Sequence, residues 1–171
     1  VVVGDEAGTA ITTGDGNVAI GYAALTDSVL GGLSTAVGTY ALQKQNPATA
    51  TNMYNSAFGY NAGNKVTTGT QNTLVGGLAG DAITTASNNA AFGYSALGAN
   101  STGTLNTAIG SGALFNNTTA SNNTAVGTNS LLSNTTGTNN TALGVFALDS
   151  NTTGSGSVAL GRNALGAQTT G

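Results

Sequence analysis

A glycine returns at an almost fixed interval along the whole chain: Gly4, Gly21, Gly38, Gly59, Gly76, Gly93, Gly110, Gly127, Gly144 and Gly161, spaced by 17 residues everywhere except for the 21 between Gly38 and Gly59. Self-similarity at so short a period marks a repeat architecture, in which one unit cannot bury a core alone and must stack on its neighbours. With each of these glycines as position 1, the unit reads Gly-x-x-Ala-Leu-x-x-Asn-Thr-Thr-Gly-x-x-Asn-Thr-Ala-Ψ, where Ψ is bulky and apolar. Such a unit is too short for a helical pair, and its glycines would cost a helix about 1 kcal/mol each. Brief strands bounded by glycine corners suit it better. The expectation is an all-β, parallel β-solenoid (β-roll) of about ten 17-residue coils, a single array over residues 1–171. Parallel stacking at about 4.8 Å per coil makes a rod roughly 45–50 Å long.

Two adjacent columns decide how such a coil is filled. Position 17 holds Ile20, Val37, Phe58, Val75, Phe92, Ile109, Val126, Leu143 and Leu160; position 16 holds Ala19, Ala36, Ala57, Ala91, Ala108, Ala125, Ala142 and Ala159, broken only by Leu74. Neighbouring strand residues face opposite ways. Assigning the bulky column to the interior turns the alanines outward, and a stripe of small apolar residues along a rod invites close approach by another chain. The alanine column is therefore the candidate inter-chain packing surface. Position 5 is Leu in seven copies (Leu25, Leu42, Leu97, Leu114, Leu131, Leu148, Leu165) and Gly in three (Gly8, Gly63, Gly80). Position 14 (Asn17, Asn55, Asn72, Asn89, Asn106, Asn123 and Asn140, with Ser34 and Ser157) reads as a ladder of stacked amides.

Charge and residue usage remove several function classes. The chain has 3 basic and 6 acidic residues and no basic patch to follow a phosphate backbone, so nucleic acid is not an expected partner. Absence of His and Cys takes away the usual general base, the thiol nucleophile, the soft metal ligands and any disulfide. The carboxylates are scattered, which makes a paired acid and base hard to assemble. The chain reads as a non-enzyme without a cofactor. No apolar run approaches the roughly 18 residues of a membrane-spanning helix, and no charged-then-apolar leader opens the sequence. Gly, Asn, Ser and Thr fill the gaps as in low-complexity chains, but the unslipping apolar register argues for order. The array opens at Val1 and closes at Gly171 in mid-repeat without capping units, which reads as a segment of a longer array or a chain whose ends meet other chains.

Candidate contact residues lie where the repeat departs from itself or exposes a rank. The long unit carries four extra residues within 43–57; it contains Lys44, Asn46, Pro47, Met53 and Tyr54 and is the candidate interaction loop, since insertions in a solenoid emerge on one face. Thr-Thr pairs at 12–13, 67–68, 84–85, 118–119, 135–136, 152–153 and 169–170 suggest an alternative function, ice binding through threonine ranks. Adjacent threonines point to opposite sides, so each face would carry a single rank. Gly14-Asp-Gly16 reads as a turn, because a lone Asp lacks the ligand count that calcium takes. Tyr22, Tyr60 and Tyr94 share position 2, suited either to stacking on sugars or to covering a corner. Asn-x-Ser/Thr matches fall at Asn100, Asn116, Asn117, Asn122, Asn134, Asn139 and Asn151.

The blocks Asn17-Val-Ala-Ile-Gly21 and Ser157-Val-Ala-Leu-Gly161, with the general Asn-Thr-Ala-(Ile/Val/Leu)-Gly-x-x-Ala-Leu pattern, resemble the head repeats of YadA-like trimeric autotransporter adhesins. The longer unit, as in residues 127–143, is similar to repeats of bacterial surface proteins and phage tail fibres. The resemblance spans essentially the whole chain. It implies a left-handed β-roll assembled as a homotrimer, outside the cell or on a virion, that spaces or presents receptor-binding elements. The implied partners are sister chains and a host-surface glycan or protein receptor, with no membrane insertion by this segment. The unit here is longer than that family's usual head repeat, which implies a wider coil or an extra turn.

Overall fold

The structure, a computed structural model, describes residues 1–170. In chain order its strands are β1 (Val2–Val3), β2 (Val18–Ile20), β3 (Gly31–Gly32), β4 (Thr35–Val37), β5 (Thr51–Asn52), β6 (Ser56–Phe58), β7 (Thr73–Val75), β8 (Ala90–Phe92), β9 (Thr107–Ile109), β10 (Thr124–Val126), β11 (Thr141–Leu143) and β12 (Val158–Leu160). All except β3 and β5 join one parallel sheet of ten strands in chain order, and β3 pairs with β5. Register is column on column: Ala108 lies beside Ala125, and Ala125 beside Ala142. Ten strands in this order bound nine laps of a parallel β-solenoid, with no helix among the described residues. Away from the strands the backbone still bonds from lap to lap, as where the Leu97 N–H donates to the Ala113 carbonyl at 3.0 Å.

The two faces of the sheet are the reverse of the sequence expectation. Ala19, Ala36, Ala57, Ala91, Ala108, Ala125, Ala142 and Ala159 are buried in the core of the single chain, and the Ile/Val/Phe/Leu column at position 17 lies on the outside. The alanine column is thus not an inter-chain packing surface. The reason is width. Leu25, Leu42, Leu97, Leu114, Leu131 and Leu148 reach in from the opposite wall and are fully buried, leaving room for only a methyl group at position 16. The exception establishes the rule. A Cβ at Gly63 would stand 2.7 Å from Leu74 Cδ1, and one at Gly80 would stand 2.8 Å from Leu74 Cδ2. Leu74, the one departure from alanine in the column between Ala19 and Ala159, occupies the volume that leucine side chains fill elsewhere, with Val66 and Ile83 buried alongside it.

This swap carries a prediction. Leu74→Ala should lower stability by about 2–4 kcal/mol, because neither glycine neighbour can refill the space. Restoring the consensus with Gly63→Leu and Gly80→Leu in the same chain should recover most of the loss, as read by urea midpoints. Recovery no better than in a chain with leucines at unrelated surface positions would refute the complementarity.

Position 5 explains why glycine alternates with leucine there. Its backbone is left-handed in every copy, with φ of 48–53° for the leucines and 54–59° for Gly8, Gly63 and Gly80. A non-glycine residue tolerates this region at a cost of about 1–2 kcal/mol, which burial of the leucine side chain offsets at about 1.5–3 kcal/mol.

Amides supply the rest of the interior. At position 14 each Asn accepts from the backbone N–H of its counterpart one lap on and donates further across the coil: Asn123 Oδ1 accepts from the Asn140 N–H at 3.0 Å, and Asn123 Nδ2 donates to the Gly137 carbonyl at 2.9 Å. The expected ladder is therefore present. A second one runs beside it at position 8, where Asn117, Asn134 and Asn151 each donate to the amide oxygen one lap earlier at 2.9–3.0 Å. Both ladders meet at position 11, since the Gly137 carbonyl also accepts from Asn134 Nδ2 at 2.9 Å. Where position 14 is Ser, position 8 of the following unit is Gln, and its longer amide closes the gap: Ser34 Oγ donates to Gln45 Oε1 at 3.2 Å, and Gln168 Nε2 donates to Ser157 Oγ at 2.8 Å.

Candidate functional site

Because the alanines face inward, positions 15 and 17 share the outer face of the sheet. Ile20, Phe58, Phe92, Ile109 and Leu143 are 36–46% exposed, with Val37, Val75 and Val126 partly covered between them. Beside them runs a shorter-chained rank that includes Thr35, Thr73, Thr107, Thr124 and Thr141. Neither position carries a charge in any copy. The result is an uncharged, largely apolar stripe the length of the ten-stranded sheet, well beyond the scattered exposed residues of an ordinary surface.

The candidate interaction loop is not brought together as one patch. The extra residues bulge at Pro47 to Ala50, of which 48–50 are exposed. Lys44, Asn46 and Tyr54 are exposed, but Pro47 and Met53 are buried, so neither of these can meet a partner. Met53 turns inward over Gly31, which has no side chain to exclude it: an added Cβ there would lie 3.3 Å from Met53 Cγ, a tight contact. Lys44 is held by Asp27 at 2.9 Å, and Tyr54 lies 3.5 Å from the Asn52 amide.

Several motifs resolve into structural roles. The first threonine of a pair spends its hydroxyl on the next lap, as in Thr118 Oγ1 donating to the Thr135 carbonyl at 3.2 Å and Thr135 Oγ1 to the Thr152 carbonyl at 3.0 Å. The second remains an exposed rank at Thr68, Thr85, Thr119, Thr136 and Thr153. Of the Asn-x-Ser/Thr matches, Asn100, Asn117, Asn134 and Asn151 are fully buried rungs of the amide ladder, inaccessible to modification in the folded chain. Among the described residues no three of His, Cys, Asp and Glu come close enough to hold a metal ion.

Aromatic residues gather on the edge that follows the corner glycines. Tyr22, Tyr40 and Tyr60 form an edge-to-face run, with ring centroids 5.3 Å and 6.4 Å apart. Glu6 raises the pKa of the exposed Tyr22 phenol, through a side-chain hydrogen bond first and its charge second. Farther along, the columns at positions 3 and 6 shrink to Ser95, Gly98 and Gly112 between the larger Leu78 and Asp81 on one side and Phe115, Asn129 and Leu132 on the other. This leaves a groove of about 540 Å³, bordered by Tyr94. The Phe115 ring folds back over Gly98, where an added Cβ would be 2.9 Å from it. Burial pushes the Asp81 carboxyl above the ordinary carboxylate range, against the opposing pull of Lys65. Sequence reasoning missed this groove, although the small residues Ser95, Gly98 and Gly112 between larger ones in these two columns were visible.

These features define a parallel β-solenoid repeat protein with an uncharged apolar outer sheet face and a polar-aromatic groove on its corner edge. No protein-family model, curated protein or solved structure matches the chain.

Proposed function

We propose that this chain is an extracellular structural or adhesive fibre segment: a left-handed, homotrimeric β-solenoid that spaces or presents receptor-binding elements on a bacterial surface or phage tail fibre. The observation that supports it is the uncharged apolar stripe on the outer face of the ten-stranded sheet, which a lone chain would leave in water. Burying partly exposed Ile, Val, Phe and Leu side chains against sister chains returns about 25 cal/mol per Å² of apolar surface. The repeat resemblance gives the same assembly.

Sedimentation equilibrium tests the reading. The chain should run as a trimer of its 16.4 kDa protomer at micromolar concentration, and Ile109→Lys with Leu143→Lys should convert it to a folded monomer. A wild-type monomer, or a trimer indifferent to both lysines, would sink it. A second reading is ice binding, favoured by the exposed second-threonine rank and the regular lap spacing. Absence of thermal hysteresis in the soluble protein would remove it.

A further inference from the structure

We propose that the groove floored by Gly98 and Gly112 is a binding site for a short neutral oligosaccharide. Its volume of about 540 Å³ falls within the range of small-ligand sites, roughly 300–1,000 Å³. The lining supplies the two chemistries a sugar needs. Tyr94, 62% exposed, and Phe115, 39% exposed, offer ring faces to the C–H surface of a pyranose. The Asp81 carboxylate, the Asn129 amide and the hydroxyls of Ser95 and Ser111 offer acceptors and donors for its hydroxyl groups.

Charge and backbone narrow the ligand class. A carboxylate lines the groove and no Lys or Arg does, Lys65 acting on Asp81 only from outside the lining, so sialylated or sulfated sugars find no cation within the groove to pair with. Burial already disfavours the Asp81 anion, so hydroxyl donors arriving at its oxygens would replace the hydration it has lost. An extended peptide finds no strand edge to pair with. The groove's backbone is committed from lap to lap: the Gly112 N–H donates to the Tyr94 carbonyl at 3.0 Å and the Asn129 N–H to the Ser111 carbonyl at 2.9 Å. The fold does not require this depression, because columns 3 and 6 carry larger residues in neighbouring laps.

The proposal deepens the receptor-presenting reading by naming its ligand class, yet uses no residue of the outer sheet face. The test is a titration of the isotope-labelled full chain with maltotriose, cellotriose and triacetylchitotriose, with sialyllactose as the anionic comparison, followed by amide chemical shifts. At least one neutral probe should cause saturable shifts centred on residues 94–115. Tyr94→Ala and Phe115→Ala should each weaken it about tenfold or more, with thermal unfolding of the exposed Tyr94 variant unchanged. No saturable shift with any neutral probe, shifts indifferent to Tyr94→Ala, or binding of sialyllactose alone would overturn it. Sedimentation of the same samples separates the two readings: a trimer that binds no sugar refutes the groove, and a monomer that binds refutes the assembly.

Discussion

Gly110→Val is expected to remove on the order of 5 kcal/mol of stability and to open the laps on either side of it. Two costs fall together at this corner. Its φ of 134° lies where side-chain-bearing residues are strained, and a Cβ would stand 2.6 Å from both the carbonyl carbon and oxygen of Gly127. That overlap is with backbone, so no rotamer relieves it. Gly127 is itself pressed against the corresponding glycine of the following lap, so the strain is handed along the column. Nearest-neighbour coupling in a solenoid predicts a local failure as well as a global one. Hydrogen exchange should accordingly show lost protection from about Gly93 to Gly144 and retained protection in remote laps. Gly77→Ala is the matched comparison: its added Cβ would meet only the Tyr94 ring at 3.6 Å, an ordinary contact, so stability should change by less than about 1 kcal/mol. A Gly110→Val chain as stable as the Gly77→Ala chain would contradict the account of the corner.

Asn123→Asp is expected to cost about 4 kcal/mol near neutral pH, more than most surface changes by an order of magnitude. The fully buried Asn123 donates to the Gly137 carbonyl at 2.9 Å and accepts from the Asn140 N–H at 3.0 Å. Aspartate preserves the acceptor but turns an anionic oxygen toward a carbonyl in a dry interior. Burial and that repulsion raise the folded-state pKa of the introduced carboxyl above its unfolded value of about 3.9. A raised acid is stabilising in its protonated form. The variant should therefore come closest to wild type below about pH 4, where a protonated oxygen can donate to Gly137, and lose stability as pH rises through the folded-state pKa. Asn123→Ala should lose stability by a pH-independent amount, since it leaves the Asn140 N–H unpaired without adding a titrating group. Urea midpoints for both variants from about pH 3 to pH 7 provide the measurement. A flat difference between Asn123→Asp and wild type would exclude the buried-ladder explanation.

What the sequence made legible was the period. A glycine with φ near 130° and backbone packed on backbone admits no substitute, so that column is uninterrupted and the laps can be counted directly. Strand alternation then showed that positions 16 and 17 face opposite ways, but alternation is silent about which side is inside. The deciding information was in the columns already in view. Leu74 breaks the alanine column at the place where Gly63 and Gly80 break the leucine column, a coincidence that means one volume is being filled from two walls. The second amide ladder was harder to see because only Asn100, Asn117, Asn134 and Asn151 carry it, with Val66 and Ile83 in the same position elsewhere. The groove was least legible, since Gly98 and Gly112 occupy columns whose residues vary freely in the other laps.

A chain of near-identical laps faces the hazard of closing with one lap skipped, since most pairs of laps would accept each other equally well. The irregular rungs act as address labels against that error. Leu74 seated above a leucine-bearing lap would overlap its side chain, and Ser34 set beside an Asn instead of Gln45 would leave its hydroxyl short of a partner. A solenoid purged of these irregularities would be more symmetrical and would lose its means of telling a correctly wound rod from a shortened one.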